Sequence, residues 1–87
     1  MNQKSQTPDE RLLLKLYQIA MANGDPFTEI DLRGVAPQLG QKEVAIKNIV
    51  KLLAQANFIK KVDDTTVHLT GRGCDFVIDF LSSTNQN

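Results

Sequence analysis

Along residues 42–56 apolar and polar positions separate at helical periodicity: Ala45, Ile46, Ile49, Leu52, Leu53 and Ala56 share one face, and Glu43, Lys47, Asn48, Lys51 and Gln55 the other. The stretch predicts an amphipathic helix. An earlier helix is predicted from Pro8 to about Ala22, because Thr7 can cap it, Pro8 suits the first helical position and Glu10 completes a capping box. Asn23-Gly24 and Asp25-Pro26 end it. Leu32, Val35, Ala36 and Leu39 follow at helical spacing, with Asp31 as cap and Gly40 as terminator, while Gly34 and Pro37 predict an irregular helix there. Residues 27–30 read as a short strand. Residues 58–62 and 66–69 are β-rich runs on either side of Asp63-Asp64-Thr65, the pattern of a short hairpin. Thr70, Gly71 and Gly73 break the second run before a last helix over residues 74–81. Residues 1–6 and 82–87 are polar, lack periodicity and are expected as mobile tails.

Composition narrows the class. An 87-residue chain that is 41% hydrophobic and 23% charged fits one globular domain, here residues 7–81, of mainly helical α+β type. Cys74 is the sole cysteine, so no internal disulfide is expected. With no apolar signal segment and no run of about 18 apolar residues, the expected setting is a reducing cytoplasm, without a membrane partner. The formal net charge is zero but unevenly spread. Residues 41–73 carry Lys42, Lys47, Lys51, Lys60, Lys61 and Arg72 against Glu43, Asp63 and Asp64, a net +3, while residues 1–40 come to −1 and residues 74–87 to −2.

The order helix, short strand, helix, helix, hairpin, helix resembles the winged helix-turn-helix family over about residues 8–81. Its closest echoes are Leu53-Ala54-Gln55-Ala56-Asn57-Phe58-Ile59, where the third helix breaks into the hairpin, and Leu69-Thr70-Gly71-Arg72-Gly73, where the second wing strand passes into the last helix. The family commonly has glycine at the turn where this chain has Asn57, a residue that also tolerates the left-handed conformation. The resemblance implies a three-helix core, a wing sheet of two or three strands and an additional C-terminal helix. It also implies a small transcriptional regulator whose third helix enters the major groove of double-stranded DNA. Carried onto this chain, the reading face is Gln41, Lys42, Val44, Lys47, Asn48 and Lys51, with Lys60 or Lys61 and Arg72 on phosphates. Lysine suits phosphate or guanine, Asn48 suits adenine, and Val44 a thymine methyl group.

Competing readings stay open at this level. Solubility alone would place Lys, Gln and Asn on an exposed face, and a fold does not settle a function. The wing tip carries Asp63 and Asp64, which phosphates repel, and alternation turns only one of Lys60 and Lys61 toward a bound duplex. Zero net charge and the acidic tip favour a protein-interaction module or adaptor that does not bind DNA; a modulator that pairs with a larger DNA-binding protein lies between the two readings. Apolar positions cover roughly 220° of the first helix and roughly 200° of the last, more than one core requires. The surplus, edged by Leu14, Met21, Phe76 and Phe80, suits a homodimer interface; the alternative is that both helices simply wrap the core. No catalytic residue, cofactor or metal is expected: His68 and Cys74 are too few to hold an ion, Gly71-Arg72-Gly73 is too short for a phosphate loop, and Asp75 and Asp79 share a solvated face.

Overall fold

The computed structural model describes residues 7–84; residues 1–6 and 85–87, expected as tails, lie outside the described residues. Helix α1, Pro8–Ala22, starts on the capping box read from the sequence. Thr7 Oγ1 accepts from the Glu10 N–H at 3.2 Å, and the Thr7 N–H donates to Glu10 Oε1 at 3.0 Å, so two backbone donors without a helical partner are satisfied.

The strand expected over residues 27–30 begins later, as β1, Ile30–Asp31. Asp25 holds the intervening chain in a turn: Oδ1 accepts the Phe27 N–H at 2.9 Å, and the Asp25 carbonyl accepts both the N–H and the hydroxyl of Thr28. This local side-chain bonding outcompetes a ladder.

Helix α2, Leu32–Leu39, runs on through Pro37, although the proline has no N–H to give to the preceding turn. Asp31 caps it through the Arg33 N–H at 2.9 Å. Gly40 ends it at φ 67°, a conformation that costs glycine little, and the Gly40 N–H closes on Pro37 O. Buried Leu32, Val35 and Ala36 offset what the proline removes.

Helix α3, Glu43–Gln55, ends at Ala56, and Asn57 turns the chain at φ 69°, doing what glycine commonly does. Strands β2, Ile59–Lys61, and β3, Thr66–Leu69, form the hairpin, and β1 adds antiparallel to the other side of β3, giving a sheet of order β1-β3-β2. Asp63 is the keystone of the turn. Its Oδ1 accepts the N–H groups of Thr65 and Thr66, both at 2.9 Å, which holds its carboxyl below the usual carboxylate range.

The last helix, α4, spans Gly71–Thr84 and corrects the expectation of a helix over residues 74–81 flanked by a tail from residue 82. Its start was hidden behind two glycines. Thr70 supplies the cap, its hydroxyl oxygen accepting the Gly73 N–H at 3.0 Å and its hydroxyl donating to Asn57 O at 2.7 Å.

Helix α1 lies at the centre, packed against α2, α3, α4 and the sheet. The core joins Leu12, Leu13 and Leu16 of α1 to Val35 of α2, Ile46 and Val50 of α3, Ile59, Val67 and Leu69 of the sheet, and Val77 of α4. Buried groups among the described residues are apolar, as a small domain with little spare stability requires. Within α3 the buried seam is Ile46, Val50 and Leu53, with Ala45, Ile49 and Ala54 half-buried. That corrects the sequence assignment of Leu52 and Ala56 to the core face. Both are exposed, and Val50 takes the buried place. Among the described residues no helix is long and apolar enough to cross a membrane.

Candidate nucleic-acid interface

Helix α3 follows α2 through a turn of Gly40 and Gln41, whose N–H returns to Ala36 O at 3.0 Å. Lys42 is the N-cap in extended conformation and makes no side-chain capping bond, while Glu43 complements the positive end of the helix dipole. With Ile46, Val50 and Leu53 turned inward, the opposite arc of α3 faces solvent.

Two ridges at i, i+4 spacing run along that arc. One is Lys47, Lys51 and Gln55, and the other is Val44, Asn48 and Leu52, all of them exposed. Val44 keeps 70% of its surface accessible and Leu52 63%. Gln41, at the entrance, is half-buried. The sequence located most of this face correctly but not Leu52.

The remaining cations are spread around this helix. Lys60 pairs across the hairpin with His68, while Lys61 pairs with Val67. Alternation therefore sets Lys60 on the outer face of the sheet and Lys61 on the face of Ile59 and Val67, at the rim of the core, so they point to opposite sides as expected. Arg72, in the first turn of α4, lies over the ring of Phe58, its guanidinium carbon 5.6 Å from the centroid. It is exposed but engaged with its own fold. Lys42, Lys47, Lys51, Lys60 and Lys61 make no ion pair with another described residue.

One arginine escaped sequence reading. Arg33 of α2 donates to Asp31 from Nε at 3.1 Å and from Nη2 at 2.8 Å, and Glu43 and Asp63 lie within its electrostatic reach. The hydrogen-bonded carboxylate of Asp31, its own charge and those of Glu43 and Asp63 all raise the arginine's pKa. Among the described residues Asp31 is its ion-pair partner, while the charges of Glu43, at the start of α3, and Asp63, at the hairpin tip, meet it at longer range. Nothing in the linear order signals that meeting, because tertiary packing brings α2, α3 and the turn together. Exposed cations thus line the ridge of α3, whereas carboxylates stand at the hairpin tip.

Asp31 also carries a pH dependence. The Arg33 guanidinium and then the Arg33 N–H hold its carboxyl below the ordinary 3.8, at about 2. The folded chain resists protonation more than the unfolded chain, so this contribution is complete above about pH 4 and is lost as pH falls toward 2. Asp31→Asn is expected to flatten that part of the acid limb in circular-dichroism measurements of stability against pH. An acid limb identical to that of the parent chain would show that the bond is not coupled to folding.

The outer helices present a mixed surface. Leu14 and Phe76 are half-buried and pack against the core, and Phe80 is half-buried. Phe76 meets Phe58 at 5.2 Å between ring centroids and Phe80 at 6.4 Å. Met21, on α1, is 45% exposed, and Ile78, on α4 and not singled out in the sequence, is 49% exposed. Cys74 is buried, and burial, followed by the nearby Asp75 charge, pushes its thiol pKa up, which keeps it a protonated core residue. Nδ1 of His68 lies 2.7 Å from Leu69 O. Among the described residues no group of three or more His, Cys, Asp or Glu side chains is placed to hold a metal ion.

Compared with protein-family models, curated proteins and solved structures, the chain matches none.

Proposed function

We propose that the chain is a winged helix-turn-helix domain that binds double-stranded DNA through the outward face of α3, as a small transcriptional regulator acting as a homodimer. The observation that carries this reading is the solvent arc of α3, where Lys47 and Lys51, without an ion pair to another described residue, run beside a ridge of Val44, Asn48 and Leu52. A rigid helix with cations on one ridge and neutral groups on the next suits a major groove, where phosphates line the walls and base edges the floor. The element order and the addition of β1 to the β2–β3 hairpin support the fold assignment, with α2 and α3 as the helix-turn-helix and the hairpin as the wing. The acidic tip suits a wing that leaves backbone contact to α3 and to Lys60 or Lys61. Exposed Met21 and Ile78 on neighbouring helices support pairing of two copies through α1 and α4.

Titration of the chain against a random-sequence duplex tests this. With about three phosphate contacts, affinity is expected to fall about 40-fold between roughly 50 and 200 mM salt, with two chains per duplex at saturation. Absence of salt-sensitive binding at micromolar protein would remove the DNA reading, and one chain per duplex would remove the dimer. The competing reading is a winged domain that docks on a protein; zero net charge and the acidic hairpin tip of Asp63 and Asp64 favour it, and it would gain if no duplex bound.

A further inference from the structure

Resting on the DNA-binding reading, we infer that α3 reads A·T base pairs through adenine and thymine methyl groups rather than guanine. Leu52 and Val44 stand two helical turns apart with Asn48 midway, and both aliphatic side chains lie mostly in water. Leu52, 63% exposed on a helix that already has a buried seam in Ile46, Val50 and Leu53, adds little to the core. As part of a ridge that also holds a carboxamide, it matches one major-groove surface closely. Asparagine pairs in a bidentate way with adenine N6 and N7, and apolar side chains meet the thymine methyl group.

The spacing agrees. From Val44 to Leu52 the helix rises about 12 Å, which spans three to four base pairs. Guanine is read by arginine or lysine, and α3 contains no arginine between Glu43 and Gln55. Its lysines sit on the adjacent ridge, about 60° round the helix, where they face phosphates while the Val44, Asn48 and Leu52 ridge faces the floor. The partner of this apolar ridge is thus a polyanion with methyl groups on its floor, matched in charge by Lys47 and Lys51.

The test uses the whole chain and three duplexes of equal length: A·T-rich, G·C-rich, and the A·T-rich sequence with deoxyuridine in place of thymidine. Uracil removes the methyl group from the major groove and leaves the minor groove unaltered. The A·T-rich duplex is expected to bind about 10-fold tighter than the G·C-rich one, and the uracil duplex to lose about 5-fold. Val44→Ala combined with Leu52→Ala is expected to erase the thymine–uracil difference; both positions are exposed, so folding is not at stake. Salt-sensitive binding that is equal for all three duplexes would overturn the base reading and leave DNA binding standing. An A·T preference untouched by uracil would overturn the methyl contacts, and binding to no duplex would overturn both readings together.

Discussion

Gly73→Ala is expected to destabilise the domain by about 3 kcal/mol, the upper end of overpacking effects, and to lower Tm by roughly 15 °C. Gly73 lies against the turn that joins α3 to β2, and a Cβ there would overlap the carbonyl oxygen of Phe58 and press on Leu69 Cδ2 at 3.3 Å. A carbonyl of the main chain cannot rotate away as a side chain can. The same oxygen accepts the Thr70 N–H at 3.1 Å, and the Thr70 hydroxyl ties Asn57 O to the Gly73 N–H. Moving α4 to admit a methyl group therefore also strains the cap of α4 and the left-handed turn at Asn57. Gly71→Ala is the internal control, since nothing lies within 4 Å of the added atom and alanine favours helix. Thermal unfolding followed by circular dichroism should leave Gly71→Ala at or slightly above the parent Tm. A Gly73→Ala Tm within a few degrees of the parent would contradict the close approach.

Lys47→Glu together with Lys51→Glu is expected to weaken duplex binding on the order of 100-fold at low salt, equivalent to about 3 kcal/mol. Both side chains are exposed and make no ion pair with another described residue, so the substitutions should leave Tm nearly unchanged. The loss then reports on contact with phosphate and not on folding. Lys47→Ala with Lys51→Ala should be milder and should reduce the slope of log affinity against log salt by about two. If the doubly reversed variant binds within threefold of the parent, α3 is not the face that meets DNA.

Much of the framework was legible because it rests on bonds between residues two to four apart. The Thr7–Glu10 capping box, the Asp31 cap, the Gly40 terminator and the left-handed Asn57 each satisfy backbone groups locally, so side-chain chemistry announces them. The hairpin was legible for the same reason, since Asp63 bonds the backbone two and three residues on. Residues 27–30 show the opposite outcome for a local cue, where β-rich composition was overridden by the turn that Asp25 makes.

The candidate face was legible in part. Helical periodicity separates an apolar arc from a polar one, but it does not say which edge of a wide arc the neighbours cover. Val50 and Leu52 are two residues apart, and only the placement of α3 against α1, α2 and β2 chose the first for the core and left the second in water. Arg33 was invisible as a member of this region for a related reason. Its local partner Asp31 is near in sequence, whereas Glu43 and Asp63 reach it only through the packing of α2, α3 and the turn.

By itself, then, the sequence determined where the first three helices start and stop, where the hairpin turns and which arc of α3 carries lysine, because these follow from local hydrogen bonding and periodicity. The tertiary structure alone decided that Leu52 joins Val44 and Asn48 outside, that the charges of Glu43 and Asp63 come within reach of Arg33, and that Gly73 is held against Phe58 as part of a helix instead of breaking one. Those outcomes depend on which surfaces meet when the helices and sheet close on one core, a contest of burial among distant segments that no short stretch of sequence encodes.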